Sequence, residues 1–476
     1  MTFSISPPFK SLIAVLLLAF TSIGLHAQSL PNILLITADD LGLQLGCYGD
    51  KEARTPHLDK LSQASVQFQN GYVTHASCSP SRSSMFTGMF PHENGQIGLS
   101  HLGYEMHPGM PILPNLLKAK DYRTGVIGKV HVEPFSEFIW DDYIGKKVNM
   151  RDIKEIRDSC QSFFKKEKGR PFFFMANYSD PHRHFPAQVN GVPKVPFKAS
   201  DVKPFSFLQI SDLEVREEIA KYYSCVTRVD EGVGLLLEAL EKEGLSDNTL
   251  VIFLGDHGPP FTRSKTTCYE SAMRVPIFVR FPDKSFAGKV MDDLVSSIDI
   301  LPTVLESAGI PCPPEVTGKS LLPLIRGEEK NWRKTLATEY TSHHGPGGYY
   351  PRRAIRDERF KLIHNLNHHK RNPHLSVDRC KAWAASQQRK YRGTIVDKIM
   401  TIYQNPPEFE LYDLAHDPDE LHELSEIPEY QNAFKDMKTK LLKWRQETND
   451  PLLDPAKLRE LNEFHKNFKH SKRNLH

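Results

Sequence analysis

The sequence predicts an α/β protein with a large, mostly parallel sheet between helices and a smaller C-terminal α+β domain with an antiparallel sheet. Short, nearly continuous apolar runs, such as 31–38 and 249–254, are typical of strands buried on both faces of a sheet. Helical periodicity, clearest at 217–242, separates such runs, and polar residues follow each of them. Repeated strand–loop–helix units of this kind favour parallel strands covered by helices.

The predicted elements follow in order along the chain. Segments 31–38, 66–73, 122–131, 170–178 and 249–254 are predicted strands, and segments 55–61, 78–87, 113–120 and 217–242 are predicted helices. Beyond residue 324 the pattern changes to strands at 359–364 and 409–414 with an amphipathic helix at 432–448, which indicates the small α+β domain. The predicted division is therefore 1–27, a signal peptide; 28–340, the large N-terminal domain; and 341–476, the C-terminal subdomain.

The first 27 residues are predicted to be a secretory signal peptide. Lys10 precedes an apolar run at 12–20 that is too short to span a bilayer, and Leu25-His26-Ala27 offers a cleavage site. We therefore expect an exported protein, periplasmic or secreted, without stable membrane insertion. The composition, 39% hydrophobic and 25% charged over 476 residues, is globular, and a net charge of +3 gives no case for nucleic-acid binding.

Seven cysteines are too few for a disulfide scaffold, and an odd number leaves at least one unpaired or altered in an exported protein. Cys78 is the natural candidate because Cys78-Ser79-Pro80-Ser81-Arg82 opens a predicted helix. The first turn of a helix directs free backbone N–H groups outward and attracts anions. Arg82, one turn further on, could bring its planar charged group back to the same place. The stretch is a candidate for chemistry on an anion, with a buried structural cysteine as the alternative.

Further polar side chains follow the predicted strands. Asp39 and Asp40 end the first strand, and adjacent aspartates repel unless a cation joins them, so metal binding is the simpler interpretation and a solvated turn the alternative. Lys129 and His131 are two residues apart at the end of an extended segment, so both would face one ligand. The carboxyl ends of parallel strands are where α/β proteins bind ligands. The other polar residues predicted at this edge are His182, Asp256, His257 and Lys265.

The order Cys-x-Pro-x-Arg at 78–82 resembles the motif of the type I sulfatases, and the resemblance covers the whole chain after the signal peptide. Within that family the chain is most similar to the heparan N-sulfatases. The matching segments are Ala38-Asp39-Asp40, Cys78-Ser79-Pro80-Ser81-Arg82, Gly128-Lys129-Val130-His131, Asp180-Pro181-His182, Asp256, Ser342-His343-His344, Phe360-Lys361-Leu362-Ile363-His364-Asn365-Leu366-Asn367, and Glu410-Leu411-Tyr412-Asp413 with His416-Asp417-Pro418.

The resemblance implies a fold and two cofactors. The fold would be that of the alkaline phosphatase superfamily. Cys78 would be oxidised after translation to formylglycine (3-oxoalanine) by a formylglycine-generating or sulfatase-maturing enzyme. One hydroxyl of its hydrate would attack sulfur and release the sugar, and the second would expel sulfate. The implied Ca²⁺ ligands are Asp39, Asp40, Asp256, His257 and an oxygen of modified Cys78.

The resemblance also implies roles for the remaining residues of the edge. Arg82 and Lys129 would hold the formylglycine hydrate, and His131 would help to break the sulfated intermediate. His182 and Lys265 would contact the sulfate and protonate or steady the leaving group.

Two positions depart from the pattern of the heparan N-sulfatases. His257 stands where they have asparagine, and Ca²⁺ prefers oxygen ligands, so this ligand stays open. Lys265 stands where they have arginine, which keeps the charge and loses the bidentate geometry. The preferred sulfate position and bond type are therefore open as well.

The predicted function is removal of sulfate from a sulfated saccharide at a chain end. The bond would be the N–S bond of N-sulfoglucosamine in heparan-type glycans, or an O–S bond in another polysaccharide, for example an algal one with sulfated rhamnose or galactose. The alternatives are a phosphatase or phosphonate hydrolase, against which Cys-x-Pro-x-Arg argues, and an inactive glycan-binding relative, against which the complete polar set argues.

Substrate choice is expected in the loops 182–185 and 343–353, with an ordinary domain-interface loop as the alternative for the second. The residues predicted to bind substrate are His182, Lys265, His343, His344 and Arg352.

Overall fold

The computed structural model describes residues 30–145, 148–166, 169–344, 346–373 and 376–468, so the predicted signal peptide lies outside the described residues. Asn32–Ala38 forms strand β1, which is buried on both faces of the larger sheet. Ile33 and Leu35 belong to one apolar cluster, whereas Leu34 and Ile36 belong to another. The continuous apolar run therefore has the meaning that the sequence predicts.

Eight strands form the larger sheet, in the order β4-β3-β5-β1-β6-β7-β2-β8. Neighbouring strands pair in parallel, except that β7 is antiparallel to both β6 and β2. The prediction of a mostly parallel sheet is confirmed. The strands after β1 are β2 (Val66–Tyr72), β3 (Arg123–Ile127), β4 (Asp142–Ile144), β5 (Phe172–Tyr178), β6 (Thr249–Gly255), β7 (Ile277–Arg280) and β8 (Val290–Ser296).

Helices cover both faces of this sheet, as predicted. The long helix Leu213–Lys242 packs with Ile153–Lys165 and Pro56–Gln63 on one face, and Cys78–Thr87 packs with Ile300–Ser307 on the other. In chain order the helices are α1 (Pro56–Gln63), α2 (Cys78–Thr87), α3 (Pro91–Asn94), α4 (Leu113–Lys118), α5 (Ile153–Lys165), α6 (Leu213–Lys242), α7 (Glu270–Met273), α8 (Ile300–Ser307), α9 (Leu322–Arg326), α10 (Lys381–Ser386), α11 (Ile395–Gln404), α12 (Gln431–Glu447) and α13 (Pro455–Asn467).

A second sheet of four antiparallel strands has the order β12-β11-β10-β9. Met437 and Leu441 of α12 pack on its apolar face, so the predicted arrangement of paired strands and one helix is confirmed. The predicted division between residues 340 and 341 falls inside β9, and the domain boundary stays a prediction. The strands are β9 (Leu336–Ser342), β10 (Tyr349–Arg356), β11 (Phe360–Asn365) and β12 (Phe409–Asp413).

All seven cysteines lie in the described part of the chain and are free thiols there. The odd cysteine at position 78 is therefore one of seven unpaired residues and not a remainder left by disulfide formation. Across the described ranges, no helix combines the length and the apolar character needed to span a membrane.

Candidate active site

Three neighbouring parallel strands end in register and place the predicted polar residues at one edge of the larger sheet. The segments that leave β1, β5 and β6 there are Asp39-Asp40, 179–182 and Asp256-His257. The backbone N–H of Asp40 donates to Asp256 Oδ1 at 2.8 Å, which joins the first and third of these segments. The convergence that the strand pattern predicts is present.

Cys78 is the first residue of α2, and its side chain lies among charged groups. The residue is 2% exposed. Its Sγ lies 3.5 Å from each of Asp39 Oδ1, His257 Nε2 and Lys265 Nζ. Free N–H groups in the first helical turn add partial positive charge at the same place. The sulfur atom is thus held at the point where the three strand ends and the helix meet.

Arg82 fastens α2 to the edge of the sheet. Its Nε donates to Asp256 Oδ2 at 3.1 Å, and its Nη1 donates to the carbonyl oxygen of Lys129 at 3.0 Å and to Asn177 Oδ1 at 3.2 Å. Its Nη2 is buried, has no hydrogen-bond partner among the described residues and lies 4.0 Å from Asp39 Oδ1. The guanidinium therefore organises the site, with one nitrogen left for an anionic group.

Two lysines set the charge around the thiol. Lys129 Nζ lies 2.8 Å from Asp39 Oδ2, and Lys265 Nζ lies 2.7 Å from Asp40 Oδ1. Burial by itself raises the pKa of a thiol, but the two ammonium groups more than offset burial and lower the pKa of Cys78 to about 6. The edge of the sheet is therefore an environment that favours a negative charge at residue 78.

The segment that follows β3 differs from the prediction. The strand ends before Gly128, whose φ of 82° turns the chain, and His131 has a φ of 56°. Lys129 and His131 therefore do not share a face of a strand. Val130 and Val132 are buried in the core, while Lys129 and His131 both line the cavity beside Cys78. The two side chains meet one ligand space through a turn and not through strand alternation.

Histidines from both sheets surround the same cavity. His182 follows β5, and its Nδ1 lies 2.6 Å from the carbonyl oxygen of Arg183. His343 follows β9, and its Nδ1 lies 2.7 Å from the hydroxyl of Ser77, the N-cap of α2. Burial, with Lys265 nearby, holds the pKa of His343 well below its ordinary range. His182, His343 and the adjacent His344 all line the cavity, where the sequence predicts substrate contacts.

Arg352 is not brought to the cavity, in contrast to the prediction that it binds substrate. It is buried on β10, and its guanidinium donates to Asn365 Oδ1 and to the carbonyl oxygen of Thr266, each at 3.1 Å. Because Thr266 adjoins Lys265, Arg352 supports the loop that carries this lysine. Phe185, at the end of the predicted substrate loop 182–185, packs against the core instead of the cavity.

The carboxylates at this edge fit a divalent cation. The ligand atoms of Asp39, Cys78, Asp256 and His257 all lie within 4.8 Å of one another. Asp40 Oδ2 is buried without a hydrogen-bond partner among the described residues, and burial together with Asp39 raises the pKa of Asp256 to about 7. Such a crowded set of acidic oxygens suits a hard cation such as Ca²⁺, whereas a thiol sulfur does not.

His257 is the unusual donor in this set. Burial lowers the pKa of an imidazole, but Asp256 and Asp40 outweigh burial and raise the pKa of His257 to about 9. A metal ion at its Nε2 would have to compete with a proton, so binding through this residue would release one.

A cavity of about 860 Å³ opens above these groups, and part of its lining was missed by the sequence reasoning. Arg151 donates from Nη1 to Asp180 Oδ1 and from Nη2 to the carbonyl oxygen of His182 at 2.9 Å. His101 Nδ1 lies 2.8 Å from His131 Nε2. Neither residue follows a predicted strand, so no periodic pattern marks it. The other lining residues without a prediction include Leu99, Leu102, Tyr143, Asn149 and Met150.

Comparison with known proteins agrees with the geometry. The family model described as Sulfatase matches residues 31–310, which carry the three strand ends and α2. The chain belongs to the sulfatase family. It is a sulfuric ester hydrolase, as the Cys-x-Pro-x-Arg motif predicts. A second model, described as N-sulphoglucosamine sulphohydrolase, C-terminal, matches residues 255–376, which include Lys265, His343 and His344.

Two curated relatives match this sulfatase over most of their length. Human N-sulphoglucosamine sulphohydrolase is 31% identical over 471 residues, covering 90% of this chain and 92% of the relative. An ulvan-active sulfatase of Formosa agariphila is 29% identical over 433 residues, covering 89% of this chain and 81% of the relative. The resemblance to heparan N-sulfatases is confirmed at the level of sequence.

Solved structures confirm the sulfatase fold. One protein, solved in complex with its substrate D-glucosamine-2-N,6-O-disulfate, superposes with a TM-score of 0.66 at 22% identity, covering 88% of this chain and 98% of that chain. The phosphonate monoester hydrolase of Agrobacterium radiobacter superposes with a TM-score of 0.68 at 19% identity, covering 88% and 96% of the two chains. At these identities the likeness concerns the fold alone.

Proposed function

We propose that this sulfatase removes sulfate from glucosamine at the end of a heparan-type glycan, with the N-sulfate as its target. The observation that carries the proposal is the composition of one cavity wall. Lys265, His343 and His344 belong to the region matched by the N-sulphoglucosamine sulphohydrolase C-terminal model, and His343 and His344 line the cavity beside Cys78. The identity of 31% to the human enzyme over 90% of the chain supports the same substrate class.

Two groups complete the site in this proposal. When bound, Ca²⁺ held by Asp39, Asp40 and Asp256 with His257 supplies positive charge for a sulfate oxygen, and formylglycine at residue 78 supplies an oxygen nucleophile in place of sulfur. The protein's own contribution is the placement of charge. The N–H groups of the first turn of α2 face an anion at this point.

The cations of the chain orient the sulfate. Lys129 and Lys265 carry mobile ammonium groups within 2.8 Å of the carboxylates of Asp39 and Asp40, so each can contact a sulfate oxygen while it stays neutralised from behind. Arg82 cannot move in this way, because Asp256 and two further acceptors hold it. It fixes the position of residue 78 through the backbone of α2.

Two histidines handle protons on opposite sides of the reaction. His182 lines the cavity at the end of β5, where it can donate a proton to the nitrogen or oxygen of the departing sugar. Burial, with Lys129 and His101 nearby, holds the pKa of His131 well below its ordinary range, so its imidazole is neutral and able to accept a proton.

The test is sulfate release by the protein co-expressed with a formylglycine-generating enzyme. The panel contains N-sulfoglucosamine, O-sulfated glucosamines, and sulfated rhamnose, galactose and uronic acids. Release from N-sulfoglucosamine supports the proposal, and release from O-sulfated sugars alone overturns the bond assignment. Cys78→Ala, which keeps the helix, must abolish release. Normal release by this variant would refute the role of residue 78.

A second candidate is an O-sulfatase acting on another sulfated polysaccharide. The observation in its favour is the 29% identity to an ulvan-active sulfatase over 89% of the chain, close to the value for the human enzyme. The sulfated rhamnose arm of the panel distinguishes the two. Phosphate release from a phosphonate or phosphate monoester tests the remaining fold-related activity.

Export and maturation are part of the proposal. The sequence of residues 1–27 supports export to the periplasm or beyond the cell, where a sulfated glycan would be met. N-terminal sequencing of the exported protein should begin after Ala27, and the peptide that contains residue 78 should lose the mass difference between sulfur and oxygen. An unprocessed, cytoplasmic product with an intact thiol would contradict both points.

A further inference from the structure

His101 and His131 form a directly hydrogen-bonded pair of imidazoles in the wall of the cavity. His101 Nδ1 and His131 Nε2 are 2.8 Å apart, the ring centroids are 5.1 Å apart, and the rings are inclined by 18°. Both rings line the cavity that contains Cys78. His131 is 4% exposed, whereas His101 is only partly buried, so the pair leads from the interior of the site toward its mouth.

The backbone fixes His101 in this position. It lies in the 3-10 turn Ser100–Leu102. The N–H of Ser100 donates to Ser79 Oγ of α2 at 3.0 Å, and the N–H of Leu99 donates to the carbonyl oxygen of His343 at 3.1 Å. The turn is therefore attached both to the helix of residue 78 and to the end of β9, and not to the surface alone.

A hydrogen bond between two imidazole nitrogens holds one proton, so one nitrogen must be an acceptor. If His101 Nδ1 carried it, a neutral His131 would carry its own proton on Nδ1. That atom is buried and has no hydrogen-bond partner among the described residues. A buried donor without an acceptor is costly, so the proton belongs on His131 Nε2.

We propose that His101 is a positioning residue that keeps His131 in the tautomer protonated on Nε2, leaving Nδ1 as the proton acceptor in the cavity, and that His101 then carries the accepted proton away. The proposal rests on the proposed function only for the identity of the reaction. His131 Nδ1 takes a proton from the reacting hydroxyl. The Nε2 proton moves to His101 Nδ1, and His101 releases its other ring proton from Nε2, so one proton enters the pair and one leaves.

The charges around the pair agree with this direction of transfer. The groups that act on His131 are Lys129, His101, Asp39 and Arg82, and among them Lys129, His101 and Arg82 disfavour a second positive charge on the buried ring. A proton accepted by His131 is therefore unstable there, and movement to the more exposed His101 relieves the repulsion.

Two substitutions at one position separate the two parts of the proposal. His101→Asn places an amide oxygen close to the position of Nδ1, which can accept from His131 Nε2 but cannot pass a proton on. His101→Phe keeps a ring and removes the acceptor. His107→Phe, an exposed position of the same segment outside this cavity, is the matched control.

The first measurement is made on protein with an unmodified Cys78 and does not depend on activity. Long-range ¹H–¹⁵N spectra of protein with labelled histidine, assigned with His131→Gln, report which nitrogen of His131 is protonated. We expect the Nε2 tautomer in wild type, His107→Phe and His101→Asn, and a mixture in His101→Phe. A wild-type His131 protonated on Nδ1 would overturn the proposal, whatever the outcome of the substrate panel.

The second measurement is kinetic, on the matured enzyme. His101→Phe should lower kcat by about 10²-fold with little change in KM, and His101→Asn should lower it by a smaller factor while shifting the acidic limb of the pH profile. Equal kcat values and pH profiles for wild type and both variants would overturn the relay. A parallel loss of thermal stability and a raised KM with an unchanged pH profile would show a structural role only.

Discussion

Asp180 joins the long helix α6 to the cavity, and its replacement tests how the site is supported. The carboxylate is 3% exposed at the end of β5. Its Oδ2 accepts from Arg228 Nε at 2.6 Å, and its Oδ1 accepts from Arg151 Nη1. Arg151 in turn donates to the carbonyl oxygen of His182 at 2.9 Å. One buried carboxylate therefore holds two guanidinium groups, of which one positions a predicted proton donor.

Asp180→Asn keeps the volume of the side chain and removes its charge. Two charge-assisted hydrogen bonds, each with a net value of about 1.5–3 kcal/mol, are lost or weakened. The side chain of Arg228 is fully buried, whereas that of Arg151 is 23% exposed and can regain water, so most of the loss concerns Arg228. The amide oxygen retains one neutral bond. We therefore expect the free energy of unfolding to fall by about 3 kcal/mol, within the range for a broken buried pair.

The assay is urea unfolding of the complete protein, with kcat measured on the same samples. Arg228→Met alone should destabilise strongly, because it leaves Asp180 less compensated, whereas the double variant should be less destabilised than the sum of the two single variants. Glu306→Gln, which breaks a half-exposed pair with Arg326 at 3.5 Å, is the control and should leave the midpoint unchanged. A midpoint for Asp180→Asn equal to that of the control would refute the reasoning.

Three further predictions concern the metal, the leaving group and pH. Removal of Ca²⁺ with EGTA should lower the thermal midpoint of the wild type but not of Asp40→Asn, since a cation at a hundredfold excess over its Kd stabilises the native state by about 3 kcal/mol. His182→Gln should lower kcat on a saccharide sulfate by about 10²-fold and on an activated aryl sulfate far less, because a good leaving group needs no proton. Burial opposes but does not outweigh Arg353 and Arg445, which lower the pKa of Asp450, so the stability advantage of wild type over Asp450→Asn should be largest near neutral pH and should shrink as the pH falls below 3.8, measured by urea unfolding.

The parts of the site that follow buried strands could be predicted from the sequence. β1, β5 and β6 are continuous apolar runs, which occur in parallel sheets covered on both faces. The residues that follow such runs must meet at one edge, so Asp39, His182 and Asp256 could be grouped without knowledge of the strand order. Their distances could not, because the order β5-β1-β6 is decided by packing between segments far apart in sequence.

Other residues were misplaced because a local pattern does not determine register. Arg352 and Arg353 are neighbours on β10, and strand alternation sends them to opposite faces. Arg353 binds Asp450 and Arg352 binds Asn365, so neither reaches the cavity. His101 carried no pattern at all, since its role comes from a turn held by two distant segments.

The charges of the site explain why a neutral protein edge can select an anion. Three cations face three carboxylates, and all six side chains are largely buried. Their formal charges cancel when every group is ionised, so a dication bound to the carboxylates would leave the cavity positive by about two charges, in a medium where charge is poorly screened. A sulfate ester and an ionised nucleophile would restore neutrality, whereas a neutral sugar would not. Loss of any one carboxylate should therefore weaken the metal more than the sulfate, and loss of any one cation the reverse. The six are Arg82, Lys129, Lys265, Asp39, Asp40 and Asp256.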